Sequence, residues 1–205
     1  MSSKADLRKQ MRRQRRDLSA QQRRASAEQM AYHVAGSALF RRSRHIAGYV
    51  ANDGELDPMP LVEIAWAMQK TCYLPVLDAL HPSRLWFTPY FPDSELVPNR
   101  FGIPEPKVLR RRRVPPWRLD LMLVPLVGFD ADGNRLGMGG GFYDQTLAFL
   151  QRRRCWKKPR LLGVAYDFQQ VNRLPAESWD IPLDGIATES CIHVIDRGRT
   201  GRSGV

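Results

Sequence analysis

The sequence has few cysteines and no long apolar run. The three cysteines among 205 residues form no pair motif, so they exclude a disulfide framework. The longest uncharged apolar stretch, Leu121 to Phe129, is too short to span a bilayer. No apolar signal region follows the basic residues near the amino terminus. We therefore expect a cytoplasmic protein with reduced thiols and no membrane contact.

The familiar nucleotide and calcium motifs are also absent. There is no G-x-x-x-x-G-K-[ST] sequence, and G-x-G-x-x-G would need a glycine at Phe142. The segment Asp130–Asn134 begins like a calcium loop, but Arg135 stands where that loop needs glycine and Gly141 where it needs glutamate. The four histidines show no metal-ligand spacing.

Positive charge is plentiful and clustered. The chain carries 32 Lys and Arg against 21 Asp and Glu, a formal net charge of +11. Nine basic residues lie between Lys4 and Arg24, six between Lys107 and Arg118, and six between Arg152 and Arg160. Such an excess favours polyanionic partners: nucleic acid, nucleotide phosphates or a multiply carboxylated substrate.

The hydrophobic pattern alternates between helix and strand periods. Capping boxes at Ser3/Asp6 and Ser19/Gln22 predict two amino-terminal helices. Further helices are predicted after Pro60 and over 142–154, and strands over 45–51, 71–77, 85–88, 121–127, 160–166 and 191–195. This alternation predicts an α/β fold, a three-layer αβα sandwich with a mostly parallel sheet, Rossmann-like without a dinucleotide fingerprint. We expect one domain over residues 1–196 and a disordered tail over 197–205.

One segment carries most of the chemical information. It runs from Val124 to Asp144 as strand, turn, glycine loop and helix. Glycines without Cβ atoms let backbone N–H groups approach an anion, and Arg135 at the loop entrance suits a phosphate. The residues alone leave phosphate binding and a plain flexible connection as equal alternatives.

The segment Arg135–Asp144, preceded by Pro125 and Phe129-Asp130, resembles the signature of the 5-formyltetrahydrofolate cyclo-ligase (methenyltetrahydrofolate synthetase) family. Further resemblances lie in family order across the chain: Lys4-x-x-x-Arg8, Gly54-Glu55-Leu56, Phe101-Gly-Ile-Pro-Glu-Pro106 and Asp184 after Ile181-Pro182. The resemblance implies an ATP- and Mg²⁺-dependent ligase that closes 5-formyltetrahydrofolate, possibly with a polyglutamate tail, to 5,10-methenyltetrahydrofolate. We expect a monomer for which nucleic acid is not a partner.

The resemblance assigns roles residue by residue. It implies ATP contacts at Lys4, Arg8, Arg135, Leu136, Gly137, Met138, Gly139, Gly140, Gly141, Phe142 and Tyr143. It implies folate contacts at Val50, Glu55, Phe101 and Tyr143, catalytic roles for Arg135 and Tyr143, and metal ligands at Asp144 and Asp184. The family's usual aromatic or basic residue at position 138 is Met here, and some relatives carry lysine where Gly140 stands. Compensation of the phosphate charge is therefore left to Lys4, Arg8, Arg135 and Mg²⁺.

The implied reaction phosphorylates the formyl oxygen and then closes the ring by attack of N10, with loss of phosphate. Such chemistry needs positioned cations and loop amides and no side-chain nucleophile. Arg12, Arg15 and Arg16 are interpreted as a solvated helix face.

Two alternatives stay open. The clusters 110–113 and 152–154, with Trp117 and Trp156 close by, suggest an RNA-binding protein, although no RNA-binding signature is present. A protein of the same fold that takes another phosphate-bearing ligand is the second alternative, because fold does not fix function.

Overall fold

The computed structural model describes residues 3–78, 80–81, 83–107, 112–153, 158–175, 177 and 179–195. The helices are α1 (Lys4–Asp17), α2 (Ala20–Gly36), α3 (Ala38–Arg42), α4 (Met59–Ala67), α5 (Phe142–Leu147) and α6 (Phe149–Arg152). The strands are β1 (His45–Ala47), β2 (Thr71–Leu77), β3 (Leu85–Tyr90), β4 (Leu96–Pro98), β5 (Pro104–Pro106), β6 (Leu121–Pro125), β7 (Gly128–Phe129), β8 (Arg135–Leu136), β9 (Arg160–Val164), β10 (Gly185–Ala187) and β11 (Ile192–Val194). The predicted tail, residues 197–205, lies outside the described residues.

The first two helices begin where the sequence predicts. Ser3 accepts a hydrogen bond from the Asp6 amide, and Ser19 accepts one from the Gln22 amide. In each case the side chain three residues on reaches back to the amide of the serine, which completes a capping box. Both amino-terminal capping predictions are confirmed.

The central sheet is mostly parallel. Within the described residues it has seven strands in the order β11-β10-β9-β6-β1-β2-β3. Strands β2, β1, β6, β9 and β10 run parallel, and β3 and β11 add antiparallel edges. Strands β4–β5 and β7–β8 form two small separate ladders.

Both faces of the sheet are covered. In β6, Leu121 and Leu123 pack into the core formed with α2 and α4, whereas Met122 and Val124 pack into a second core with Leu147 of α5. A strand buried on both faces explains why 121–127 reads as a continuous apolar run. Two helical layers therefore enclose the sheet, which confirms the predicted αβα sandwich.

Several element boundaries differ from the prediction. The helix predicted over 142–154 is two short helices that meet at Ala148, and β10 was not anticipated. No described helix has the length and apolar character that a membrane crossing requires.

The strand order places a ligand crevice at the centre of the sheet. After β1 the chain proceeds to β2 on one side, and it later returns through β6 on the other side. Ligands of open α/β sheets bind at such a switch point, beyond the carboxyl ends of the strands. The loops that follow β1 and β6 contain Glu55 and the segment 137–141, so the topology brings both toward one crevice.

Candidate active site

The glycine loop, residues 137–141, follows a tight hairpin. Strands β7 and β8 pair antiparallel, with Gly128 opposite Leu136 and Phe129 opposite Arg135. Gly139 and Gly141 then adopt φ of +102° and +65°, a region that L side chains rarely enter. A Cβ atom at Gly140 would lie 2.8 Å from the ring of Phe142. The loop backbone thus follows a path that its glycines permit.

The amino-terminal helix α1 contacts this loop. Nε of Arg8 donates a 2.8 Å hydrogen bond to the carbonyl oxygen of Gly137, a residue 129 positions away. The Arg8 guanidinium also lies 3.9 Å from the position of a Cβ on Gly139. Lys4, one turn earlier, lies 3.7 Å from a carboxylate oxygen of Glu177. Arg8 therefore faces the glycine loop, and Lys4, four residues earlier, lies on the same side of α1.

Arg135 and Asp144 bracket the glycine loop. The Arg135 guanidinium, whose side chain is 6% exposed, pairs with Asp144 and donates to the carbonyl oxygen of Ile181. Asp144 also accepts a 3.2 Å hydrogen bond from the Ile181 amide. A buried guanidinium and a carboxylate thus hold the ends of the loop against residues 181 and beyond.

Glu55 is a mostly buried carboxyl on the loop after β1. Its side chain is 12% exposed, and it accepts a 3.1 Å hydrogen bond from the Asn52 amide. Burial raises the pKa of Glu55 from 4.5 to about 7, against the opposing effects of that hydrogen bond and of Arg15. Val50, earlier on the same loop, is half-buried.

Two tyrosines, Tyr49 and Tyr143, lie within electrostatic range of Glu55. Burial raises the pKa of Tyr143, and the nearby charge of Glu55 adds to this effect while Arg135 opposes it. Burial also raises the pKa of Tyr49, with Glu55 and Tyr143 contributing in turn, and its hydroxyl donates to the Leu56 carbonyl. Tyr143 is therefore within electrostatic range of both Glu55 and Arg135.

Arg15 corrects the interpretation of α1 as a solvated face. Its side chain is 0% exposed, and its guanidinium lies 3.2 Å from Asp53 and 3.8 Å from Glu55. Arg12 and Arg16 also pair with Asp53, at 2.6 and 2.5 Å. The sequence carries one sign of this burial: Arg15 continues the four-residue steps of Leu7 and Met11, which form the apolar stripe of α1.

The remaining predicted residues lie in different surroundings. Phe101 is 54% exposed and packs edge-on against Phe142, with ring centroids 5.8 Å apart. Met138 is exposed on the glycine loop. Asp184 lies at the amino ends of β9 and β10, where it pairs with Arg160 at 2.8 Å and accepts from the Leu161 amide. The described contacts therefore give Asp144 and Asp184 different partners.

The fold and this site define an α/β enzyme in which a glycine loop beside buried arginine and helix-borne basic residues faces a buried carboxyl group. The sequence profile described as the 5-formyltetrahydrofolate cyclo-ligase family matches residues 1–189. The chain therefore belongs to the 5-formyltetrahydrofolate cyclo-ligase family.

Curated relatives agree with this assignment. The 5-formyltetrahydrofolate cyclo-ligase of Escherichia coli (strain K12) is 43% identical over 180 residues, covering 88% of this chain and 97% of the relative. The enzyme of the same name from Haemophilus influenzae is 39% identical over 179 residues, covering 86% and 92%.

Solved structures agree as well. The Aquifex aeolicus 5,10-methenyltetrahydrofolate synthetase superposes with a TM-score of 0.79 at 34% identity, covering 98% of this chain and 96% of that one. The Mycoplasma pneumoniae 5,10-methenyltetrahydrofolate synthetase gives a TM-score of 0.70 at 25% identity, with 92% and 99% covered. The family resemblance and the ligase class inferred from the sequence are confirmed, and the alternative of a binding protein without ligase activity is not favoured.

Proposed function

We propose that this chain uses ATP to convert 5-formyltetrahydrofolate to 5,10-methenyltetrahydrofolate in the crevice between the β1 and β6 loops. The observation that carries the proposal is the hydrogen bond from Arg8 to the Gly137 carbonyl. It joins the basic face of α1 to the glycine loop, the two regions expected to hold the triphosphate from opposite sides. The proposed ATP contacts are Lys4, Arg8 and residues 135–143.

The glycine loop suits phosphate groups. Its backbone runs through positive φ at Gly139 and Gly141, and a Cβ on Gly137 would meet no atom within 4 Å. Backbone amides of such a loop can approach phosphate oxygens closely, and guanidinium groups can bind them with paired hydrogen bonds. Lys4, Arg8 and Arg135 together supply the positive charge.

The opposite wall suits a reduced pterin. The pterin N3–H and 2-amino group are hydrogen-bond donors, and the Glu55 carboxyl is a mostly buried acceptor. Phe101 offers an exposed ring at the edge of Phe142 for stacking. We propose that Val50, Glu55, Phe101 and Tyr143 contact the folate.

A magnesium ion fits this chemistry because carboxylate oxygens and phosphates are its preferred ligands. Asp144 is the described carboxylate that adjoins the glycine loop, and we propose it as a ligand. Asp184 is proposed as the second ligand on the resemblance, although both of its oxygens are engaged by Arg160 and the Leu161 amide. When bound, the ion would offset negative charge on the phosphates.

The proposed reaction has two steps. The formyl oxygen attacks the γ-phosphorus, and ADP leaves. N10 then attacks the activated formyl carbon and loses its proton, and the bond from that carbon to the phosphate oxygen breaks. Arg135 stabilises the negative charge of the transferred phosphoryl group. Tyr143, kept protonated by its raised pKa, donates a hydrogen bond to an oxygen atom of that group.

The direct experiment is an assay of the purified protein with MgATP and 5-formyltetrahydrofolate. We expect the methenyl product, measured by its near-ultraviolet absorbance, and none when ATP is omitted. Folded protein that binds ATP but forms no product would contradict the proposed reaction.

A variant pair tests the α1 contact. Arg8→Ala should raise the KM for ATP about 10-fold or more, because it removes a charged hydrogen-bond donor. Arg13→Ala removes the same charge from an exposed position of α1 and should leave KM unchanged. Equal KM values for the two variants would show that α1 does not hold the nucleotide.

The two proposed magnesium ligands can be tested separately. Asp144→Asn should raise the magnesium concentration needed for half-maximal rate, and Asp184→Asn should do the same if the second ligand is correct. A change in Asp144→Asn alone would assign Asp184 to the Arg160 contact.

The cytoplasmic location and monomeric state remain predictions from the sequence.

A further inference from the structure

A cavity of about 760 Å³ lies beside α5 and α6, apart from the glycine loop. We call it the arginine cavity. Its described lining includes Arg84, Arg113, Arg152, Arg153, Trp86, Trp117 and Phe149. Gln145 and Thr146 of α5 also line it, whereas Tyr143 and Asp144 do not. Its volume lies in the range of pockets that enclose a small ligand.

The cavity brings together members of two basic clusters that are distant in the sequence. Arg113 ends the run 110–113, and Arg152 and Arg153 begin the run 152–154. Arg84, just before β3, adds a third segment. Neither cluster has a role in the ligase site. These four arginines share one concave surface, which concentrates positive charge more than a scattered basic surface would.

The negative charge in the cavity is already engaged. The described lining contains one carboxylate, Asp78. Burial opposes its ionisation, but hydrogen bonds from the Leu80 amide, His81 and Trp86 lower its pKa to about 2. The Asp78 carboxylate therefore already has partners, whereas Arg84 and Arg152 of the lining are exposed. Guanidinium groups can bind an anion with paired hydrogen bonds.

Aromatic rings lie among the arginines. Trp117 is 48% exposed and packs edge-on to Phe149, with centroids 5.6 Å apart. The Arg153 guanidinium lies 5.0 Å from the centre of the Phe149 ring. A bare phosphate or a chain of carboxylates cannot stack on these rings. A nucleobase can, because it stacks on aromatic and guanidinium planes.

We propose that the arginine cavity binds a nucleobase together with its neighbouring phosphates. Two sources present this chemistry, a free nucleotide and a segment of single-stranded RNA. The proposal does not depend on the ligase reaction, because the cavity residues differ from those assigned to ATP and folate.

The test uses fluorescence anisotropy of a fluorescein-labelled decauridylate without added MgATP, in the wild type and in Arg8→Ala, which weakens the proposed ATP site. We expect Arg113→Ala/Arg152→Ala to weaken binding about 10-fold or more and to lower the salt slope by about 1.4, since each single-strand phosphate contact contributes about 0.7. Trp117→Ala, at an exposed position, should weaken binding several-fold by removing a stacking surface.

The matched control is Arg13→Ala/Arg42→Ala, which removes the same charge from exposed positions of α1 and α3. It should stay within about twofold of the wild-type affinity. Circular dichroism and urea unfolding of each variant confirm that the fold is retained.

Competition identifies the source. Displacement of the probe by uridine monophosphate would support a free nucleotide, whereas displacement by unlabelled decauridylate alone would support a strand. Equal weakening in the control and cavity variants would overturn the proposal in favour of unspecific charge attraction. Displacement by poly-L-glutamate, with no effect of Trp117→Ala, would overturn it in favour of a general anion site.

Discussion

The Glu55 carboxyl is held in surroundings that oppose its charge. Its side chain is mostly buried, and Arg15 approaches only to 3.8 Å. At a pKa of about 7 the group is a mixture of protonated and ionised forms at neutral pH. A carboxyl in this state can accept or donate a hydrogen bond, which suits a ring system that carries both donors and acceptors.

Replacing this residue should change how stability depends on pH. The folded state binds the Glu55 proton more tightly than the unfolded state, so the free energy of unfolding should fall as pH rises from 4.5 to about 7. Glu55→Gln cannot titrate and should lose this part of the decline, about 3 kcal/mol. Urea unfolding of both proteins at several pH values measures the difference. Parallel pH curves would contradict the raised pKa.

Two glycines of the loop offer a matched comparison. A Cβ at Gly140 would meet the Phe142 ring at 2.8 Å, whereas one at Gly137 would meet nothing within 4 Å. Gly140→Ala should therefore displace the loop or the ring and raise the Kd for MgATP about 10-fold, while Gly137→Ala should change it less than about threefold. Isothermal titration calorimetry provides both values. A weaker effect at Gly140 than at Gly137 would refute the steric argument.

At this scale the sequence predicted the glycine loop but not the burial of Arg15. The side of α1 on which Arg15 lies could be predicted, because Arg15 follows Leu7 and Met11 by steps of four residues. Its partners were not, because Asp53, Glu55 and the Leu126 carbonyl come from loops whose paths depend on the folded sheet.

At the scale of elements, α1 is attached to the domain by a small apolar contact and a polar cluster. Met11 packs with Val127, Leu136 and Leu174 in a small core. Arg12, Arg15 and Arg16 converge on the single carboxylate of Asp53. Burial opposes the charge of Asp53, but hydrogen bonds from Arg12 and Arg16 keep its pKa below the usual value.

Arg15→Met tests this attachment. It leaves the neighbouring carboxylates without their buried partner and should lower the free energy of unfolding by about 3 kcal/mol. Arg13→Met, on the exposed side of α1, should change it by less than about 0.5 kcal/mol. Urea denaturation compares the two. Similar stabilities would return Arg15 to the solvated face first assigned to it.

Elements with strong local signals were predictable. Strand β2 has the bounds that its apolar run predicts, and α1 and α2 start at their capping residues. Strand β10 has only the residues 185–187, too few for a period-two pattern, and it exists because β9 offers a parallel partner. The hairpin of β4 and β5 lies in the proline-rich stretch 82–116, for which the sequence predicts a loop-rich segment with short strands but not their bounds.

At the scale of the whole molecule, the strand order explains why distant motifs share a site. Strand β1 lies between β6 and β2, so the loops that follow β1 and β6 leave the same edge of the sheet. No local pattern encodes this order. The family resemblance predicts that these loops lie together, and the sheet topology gives the physical reason.

Nucleotide binding across this crevice should stabilise the whole chain. MgATP at about 100 times its Kd should add about 2.7 kcal/mol to the free energy of unfolding, because the unfolded chain has no assembled site. Differential scanning calorimetry with and without MgATP would show a higher Tm. Arg8→Ala should reduce the shift at the same ligand concentration, and an unchanged shift would place the nucleotide elsewhere.

The hydrogen bond between Arg8 and Gly137 also bears on the order in which the chain is made. Translation produces α1 first, yet its acceptor on the glycine loop is synthesised 129 residues later. A nascent chain on the ribosome therefore carries a basic amphipathic helix with its docking surface still to come. Attachment of this helix belongs among the late events of folding, after the central strands have been translated and paired.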